Sequence, residues 1–127
     1  MSQPVKAFGP YTPVRRAGNM YFVSGQVGVD MATKSAPEGV AEQTAKALDN
    51  MREVLAGVGL DLKDVVKTTI FVADMGDFAT INDVYVQYFP EPRPARSTVA
   101  VRELPRVATN CPVLVEVEAI AIKQETD

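Results

Sequence analysis

Apolar positions along the chain recur with a period of two in some stretches and of three to four in others, the signatures of strand and helix. Pro13–Arg16 and Met20–Ser24 flank Ala17-Gly18-Asn19. Gly and Asn supply the positive backbone dihedrals of tight turns, so this segment predicts a β-hairpin. Met20-Tyr21-Phe22-Val23 is rich in strand formers, Ser24-Gly25-Gln26 interrupts it, and Val27 and Val29 resume the alternation. Gly25 and Gly28 inside such a pattern predict a bulge or the close approach of another group.

The period then changes. From Pro37 to Val58, Val40, Thr44, Ala47, Leu48, Met51, Val54, Leu55 and Val58 fall three or four apart, which predicts an amphipathic helix. Its opposite face carries Glu42, Lys46, Asp49, Arg52 and Glu53. Pro37 suits a first turn, where its missing N–H costs nothing, and Gly57 and Gly59 supply the stop. Val65–Ala73 is a β-branched run fit for a strand covered by helices. A second helix is predicted from about Asp77 to Phe89, with Phe78, Ile81, Val84, Tyr85 and Tyr88 as its buried stripe, ended by Pro90, Pro92 and Pro94. Arg96–Val101 and Val113–Ile122 read as two further strands around Leu104–Pro112. The order ββ-α-β-α-ββ predicts an α+β fold, a mixed sheet with two helices packed on one face.

Composition narrows the chemistry. With 127 residues, 46% hydrophobic and 23% charged, the chain is expected to form one domain over residues 1–127. A net charge of −3 and a pI near 5.0, without a Lys/Arg run, weigh against nucleic acid as a partner. Arg15, Arg16, Lys63 and Lys67 are expected to be solvated surface charges. The single cysteine, Cys111, cannot form an internal disulfide, so the fold does not depend on an oxidising compartment. Residues 1–6 have no signal-peptide core and no stretch is long enough for a membrane span, so a cytoplasmic protein is expected. There is no histidine. Ser-His-Asp and Cys-His nucleophile systems and His-based zinc sites are therefore excluded, leaving carboxylates, arginine, hydroxyls, backbone groups and water.

Strand alternation puts Arg96 and Thr98 on one face, and groups Leu114, Glu116, Glu118 and Ile120 on one face of the last strand. A guanidinium fork entering a strand after Pro94-Ala95 can hold a carboxylate bidentately; the same spacing also allows a structural ion pair with Glu116 or Glu118. The two glutamates fit an exposed face or a charged edge equally well. Ser24 could bind a ligand or satisfy local backbone. Asn82 could cap or face solvent, Tyr11 could wall a pocket or pack, and Cys111 has no evident role. Gly25 with Gly28 is not a nucleotide loop, since no helix follows.

Several segments, in order, resemble the reactive-intermediate deaminase (RidA) family, also called the YjgF or L-PSP family. They are Gly9-Pro10-Tyr11, Tyr21-Phe22-Val23-Ser24-Gly25-Gln26, Asp49-Asn50-Met51, Val65–Val72, Asp77–Asn82, Pro94-Ala95-Arg96-Ser97 and Glu116–Ala121. The resemblance implies a chorismate-mutase-like version of the derived order and a homotrimer with sites between subunits. It implies hydrolytic deamination of enamines and imines such as 2-aminoacrylate to 2-oxo acids and ammonia, with no metal or organic cofactor. A small-carboxylate binder without turnover is one alternative within the family; an RNA-cleaving or translation-inhibiting protein is a second, against which the acidic pI weighs. Carried over by position, Arg96 would grip the substrate carboxylate and Glu116 would place or activate water, while Tyr11, Ser24, Asn82 and Thr98 would line the cleft. Two features depart from the family pattern: Thr98 stands where a cysteine is usual, and the segment 106–115 is longer, so that Thr109-Asn110-Cys111-Pro112 is expected to form a lip.

Overall fold

A computed structural model describes residues 7–124. The hairpin forms as its sequence demands: β1 (Val14–Ala17) pairs antiparallel with β2 (Met20–Val27), and the turn between them places Gly18 at φ 63°. Helix α1 (Val40–Ala56) follows, then β3 (Val65–Val72), helix α2 (Phe78–Tyr88), β4 (Ala95–Ala100) and β5 (Val115–Ile122). The sheet order is β1-β2-β5-β3-β4, with β3 and β4 parallel and the other neighbours antiparallel. This is the expected α+β arrangement. Both helices cover one face, where Leu48, Met51, Leu55, Ile81 and Tyr85 pack on Val23, Ile70, Val72, Val117 and Ala119.

Some boundaries differ from the sequence pattern. α1 begins at Val40 behind Gly39, so Pro37 lies outside the helix. Its carbonyl accepts a hydrogen bond from the buried Gln43 side chain (2.8 Å). A short 3₁₀ turn at Leu62–Asp64, not evident in the periodicity, is closed by a reciprocal capping box between Asp61 and Asp64. In α2, Ile81 and Tyr85 are buried, whereas Phe78, expected inside, is 41% exposed at the helix start. Lys67, expected on the surface, is half-buried and donates to the Thr68 carbonyl at 3.0 Å.

The segment preceding β5 is tied to the loop before α1 and to α1 itself. Asn110 makes a reciprocal pair with the Ala36 backbone (2.9 and 2.8 Å), and Thr109 N–H donates to the Lys34 carbonyl (2.8 Å). Gln43 donates to the Pro112 carbonyl (2.9 Å) and accepts from Leu114 N–H (2.8 Å). Val113 joins Val27, Val29 and Ala36 in a second small core. Two polar side chains, Asn110 and Gln43, together with a backbone bond thus take the place of strand pairing in anchoring this long connection.

The second face of the sheet carries no helix. Register places Phe22 opposite Ile120 and Phe71 beside Val99; Phe22 and Val99 are 40% and 43% exposed. No helix among the described residues is long and apolar enough to cross a membrane.

Candidate active site

β4 and α2 position the arginine. β4 runs beside β3 with Arg96 aligned to Thr68 and Thr98 to Ile70, both fully buried under the helices. Arg96 and Thr98 therefore lie on the helix-covered face, as alternation predicts. There the Arg96 Nε–H donates to Thr98 Oγ1 (3.0 Å) and Nη2 donates to Asn82 Oδ1 (2.6 Å). Its guanidinium carbon lies 4.8 Å from the Tyr85 ring centroid and 5.4 Å from that of Phe78, within range of cation–π attraction. Phe78, Asn82 and Tyr85 are spaced four and three residues apart and so share one side of α2. The Tyr85 hydroxyl is in turn bound to Thr68 Oγ1 at 2.7 Å.

The ion pair that spacing left open does not form. Among the described residues the ion pairs are Arg52–Asp49, Arg52–Asp61, Arg93–Glu91 and Arg106–Glu103. Arg96 is held by neutral oxygens, so its charge is oriented without being neutralised.

Glu116 belongs to a different neighbourhood. It aligns with Phe71 of β3 and Val27 of β2. A register shift between Val23 and Gln26 carries the Ser24-Gly25 backbone across the Glu116 side chain. The approach is so close that a Cβ at Gly25 would overlap the carboxylate. Burial, and then the neighbouring charge of Glu118, push the Glu116 carboxyl above the usual glutamate range. Tyr11, 48% exposed, joins Gly25 and Val27 in lining a small cavity at the bulge. The Ser24 hydroxyl donates to the Thr12 carbonyl (2.6 Å), the local backbone role, and fixes the strand that Gly25 belongs to.

The residues singled out in the sequence therefore fall into two clusters. Arg96, Asn82 and Thr98 form one, and Glu116, Tyr11 and Ser24 surround the bulge in the other. Arg96 aligns across β3 with Ala119, three residues from Glu116, so the two differ in face as well as position. Three residues span about 10 Å along a strand, and two strand spacings add roughly 9–10 Å across. No single chain brings the guanidinium to the carboxylate. Tyr85 and Phe78 are additional site residues that the sequence pattern assigned only to the core; their shared helix face with Asn82 was the available signal. The glycine pattern marks Gly25 as a bulge or a point of close approach but does not identify Glu116 as the approaching group. A cleft of about 450 Å³ beside the long connection is lined by Ala73, Arg102, Leu104, Arg106 and Cys111 among others. Among the described residues, no group of three or more His, Cys, Asp or Glu is placed to hold a metal ion.

Comparison with known proteins adds a family to this geometry. The model of the family described as Endoribonuclease L-PSP matches residues 1–123. The chain belongs to that family, the one that also includes YjgF and RidA proteins. It is 42% identical over 121 residues to the 2-iminobutanoate/2-iminopropanoate deaminase of Escherichia coli K12, covering 93% of this chain and 91% of that one. It is 46% identical over 116 residues to the chloroplastic Reactive Intermediate Deaminase A of Arabidopsis thaliana, covering 91% of this chain and 59% of that one. Among solved structures, E. coli TdcF with bound serine superposes with a TM-score of 0.83 at 40% identity, covering 93% of this chain and 91% of that one. Members named as imine deaminases thus stand at this level of identity, and the fold is theirs.

Proposed function

We propose that the protein hydrolyses small 2-imino and 2-enamino acids to 2-oxo acids and ammonia, at a site completed by two copies of the chain within a homotrimer. The observation that carries this reading is the state of Arg96: oriented by Asn82 and Thr98, backed by Tyr85 and Phe78, and not neutralised. A planar anion with two oxygens suits its unspent donors. The names of the relatives supply the substrate class, and the split between the two clusters supports a shared site. The uncovered sheet face with Phe22, Phe71, Val99 and Ile120 supplies an apolar surface for self-association.

In this mechanism Arg96 of one chain binds the substrate carboxylate and orients the imine carbon. Glu116 of a neighbouring chain, its pKa raised by burial, is closer to the working pH than an ordinary glutamate and takes a proton from water. As the water oxygen bonds to the imine carbon, Glu116 passes that proton on to the imine nitrogen, giving a carbinolamine and restoring its own carboxylate. In the collapse Glu116 takes the carbinolamine hydroxyl proton and delivers it to the nitrogen as the C–N bond breaks, so that the carbonyl forms, ammonia leaves and the carboxylate is regenerated. An enamine substrate first gains a proton at carbon to become the imine. The carbon is electrophilic from the outset, so orientation and one placed water are sufficient, and no metal or organic cofactor enters the scheme.

Release of 2-oxo acid from freshly generated 2-aminoacrylate tests the reading. Arg96→Ala should lower kcat/KM by about 30- to several-thousand-fold, the equivalent of about 2–5 kcal/mol for one lost member of a charge pair. Arg96→Lys should recover part, because it keeps charge without the fork. A second reading, small-carboxylate binding without turnover, is favoured by Thr98, whose hydroxyl holds Arg96 but brings no new reacting group. It predicts carboxylate binding with no acceleration over buffer. Salt-dependent RNA binding tests the activity in the family model's description.

A further inference from the structure

A guanidinium offers five N–H donors and two edges that can receive a carboxylate bidentately, Nε with Nη2 or Nη1 with Nη2. In this chain Thr98 Oγ1 occupies the Nε–H at 3.0 Å and Asn82 Oδ1 occupies one Nη2 hydrogen at 2.6 Å. The side-on edge is thereby committed to the protein. Among the described residues, both Nη1 hydrogens and the second on Nη2 are left for a ligand.

We infer that Thr98 is a positioning residue, which closes the Nε edge of Arg96 and so directs a bound carboxylate onto its Nη1–Nη2 end. The inference rests on the carboxylate-binding reading of Arg96 and adds to it a specific geometry and a residue that imposes it. Thr98 reaches this position because β4 alternation sets its side chain two residues beyond Arg96 on the same face, in register with buried Ile70 of β3. Asn82 and Thr98 arrive from different elements, α2 and β4. Together they fix the guanidinium plane at two nitrogens, which one contact could not do. The Tyr85 ring, held by its bond to buried Thr68, backs that plane. Holding the fork in advance removes the ordering that a ligand would otherwise impose on a long side chain. A thiol at position 98 is a weaker acceptor and would leave the Nε edge open to compete.

Steady-state kinetics with 2-aminoacrylate, for Thr98→Val, Thr98→Ser and Thr98→Cys beside Arg96→Ala, test this. Thr98→Val keeps the side-chain shape without the hydroxyl, so KM should rise about tenfold while kcat stays within about twofold. Thr98→Ser should restore the wild-type KM, and Thr98→Cys should fall between. Melting temperature, measured on each, should not follow this order. A KM unchanged in Thr98→Val, or raised equally in Thr98→Ser, overturns the inference. So does a fall in kcat at constant KM, which would place Thr98 at the reacting atoms. Arg96→Ala separates the two levels: if it raises KM and Thr98→Val does not, only the positioning role fails. If Arg96→Ala leaves KM unchanged, the carboxylate anchor itself fails.

Discussion

Gly25 and Glu116 fit together so closely that the carboxylate occupies the volume a Cβ on residue 25 would need, with Glu116 Cδ 2.7 Å from that Cβ position. The bulge in β2 is thus the wall against which the glutamate is placed. Gly25→Ala should displace the carboxylate while sparing the fold, because the obstructing atoms are the end of a flexible side chain. The expected result is a fall in kcat of more than about tenfold, since small misplacements of a reacting group are costly, with circular dichroism unchanged. Wild-type kcat in Gly25→Ala would mean that the position of this carboxylate does not matter to turnover.

Glu116→Gln removes basicity with little change of shape, so kcat should drop by about 10²–10⁴-fold and ligand binding should persist. Burial and Glu118 raise the carboxyl's pKa, so wild-type activity should decline, as pH falls, at a higher pH than for an ordinary glutamate. That acid limb should be absent from the variant. Stability should run the other way. A raised folded pKa means that the protonated form favours the fold; this contribution is complete below the unfolded pKa and is lost as pH rises through the folded one. Glu116→Gln should therefore melt higher than wild type at neutral pH and match it below about pH 4. Equal melting at both pH values would contradict the burial assigned to Glu116.

Gln43 holds the long connection before β5 through Pro37, Pro112 and Leu114. Gln43→Ala would leave three backbone groups without these partners and open a void in a fully buried position. A loss of about 2–4 kcal/mol is expected in denaturant titration, with faster thiol labelling of Cys111, whose Sγ lies 3.9 Å from Gln43 Nε2. An unchanged midpoint and labelling rate would show that the connection is held by other means.

The features readable in the sequence were the local ones. Alternation correctly joined Arg96 to Thr98, and glycine punctuation located the hairpin turn and the bulge. Helix periodicity located both helices, though it ran α1 back to Pro37, where the Gln43 side chain and not a helical bond uses the carbonyl. The relation of Arg96 to Glu116 was not legible. It depends on β5 lying between β2 and β3, and on β4 running parallel to β3 at the edge, which are pairings between residues distant in sequence. The anchoring of Thr109–Pro112 was not legible for a similar reason: its partners, Ala36 and Gln43, lie some seventy positions earlier. The Asp49-Asn50 step gains a physical role only in three dimensions, where Asn50 Nδ2 donates to the carbonyls of Val27 (2.9 Å) and Val29 (3.1 Å) and holds the end of β2.

Joint action of Arg96 and Glu116 from different copies of the chain is tested most directly by mixing two inactive variants. Arg96→Ala and Glu116→Gln should each be nearly inactive alone. Denatured together in equal amounts and refolded, they should form mixed trimers in which about a quarter of the shared sites pair an intact Arg96 with an intact Glu116. Deaminase activity should then recover to about that fraction of wild type, against refolded wild type as the reference. If both residues served one site from within one chain, every site in the mixture would lack one of them. Activity that stayed at the level of the separate variants, in mixtures shown to contain hybrid oligomers, would contradict the account.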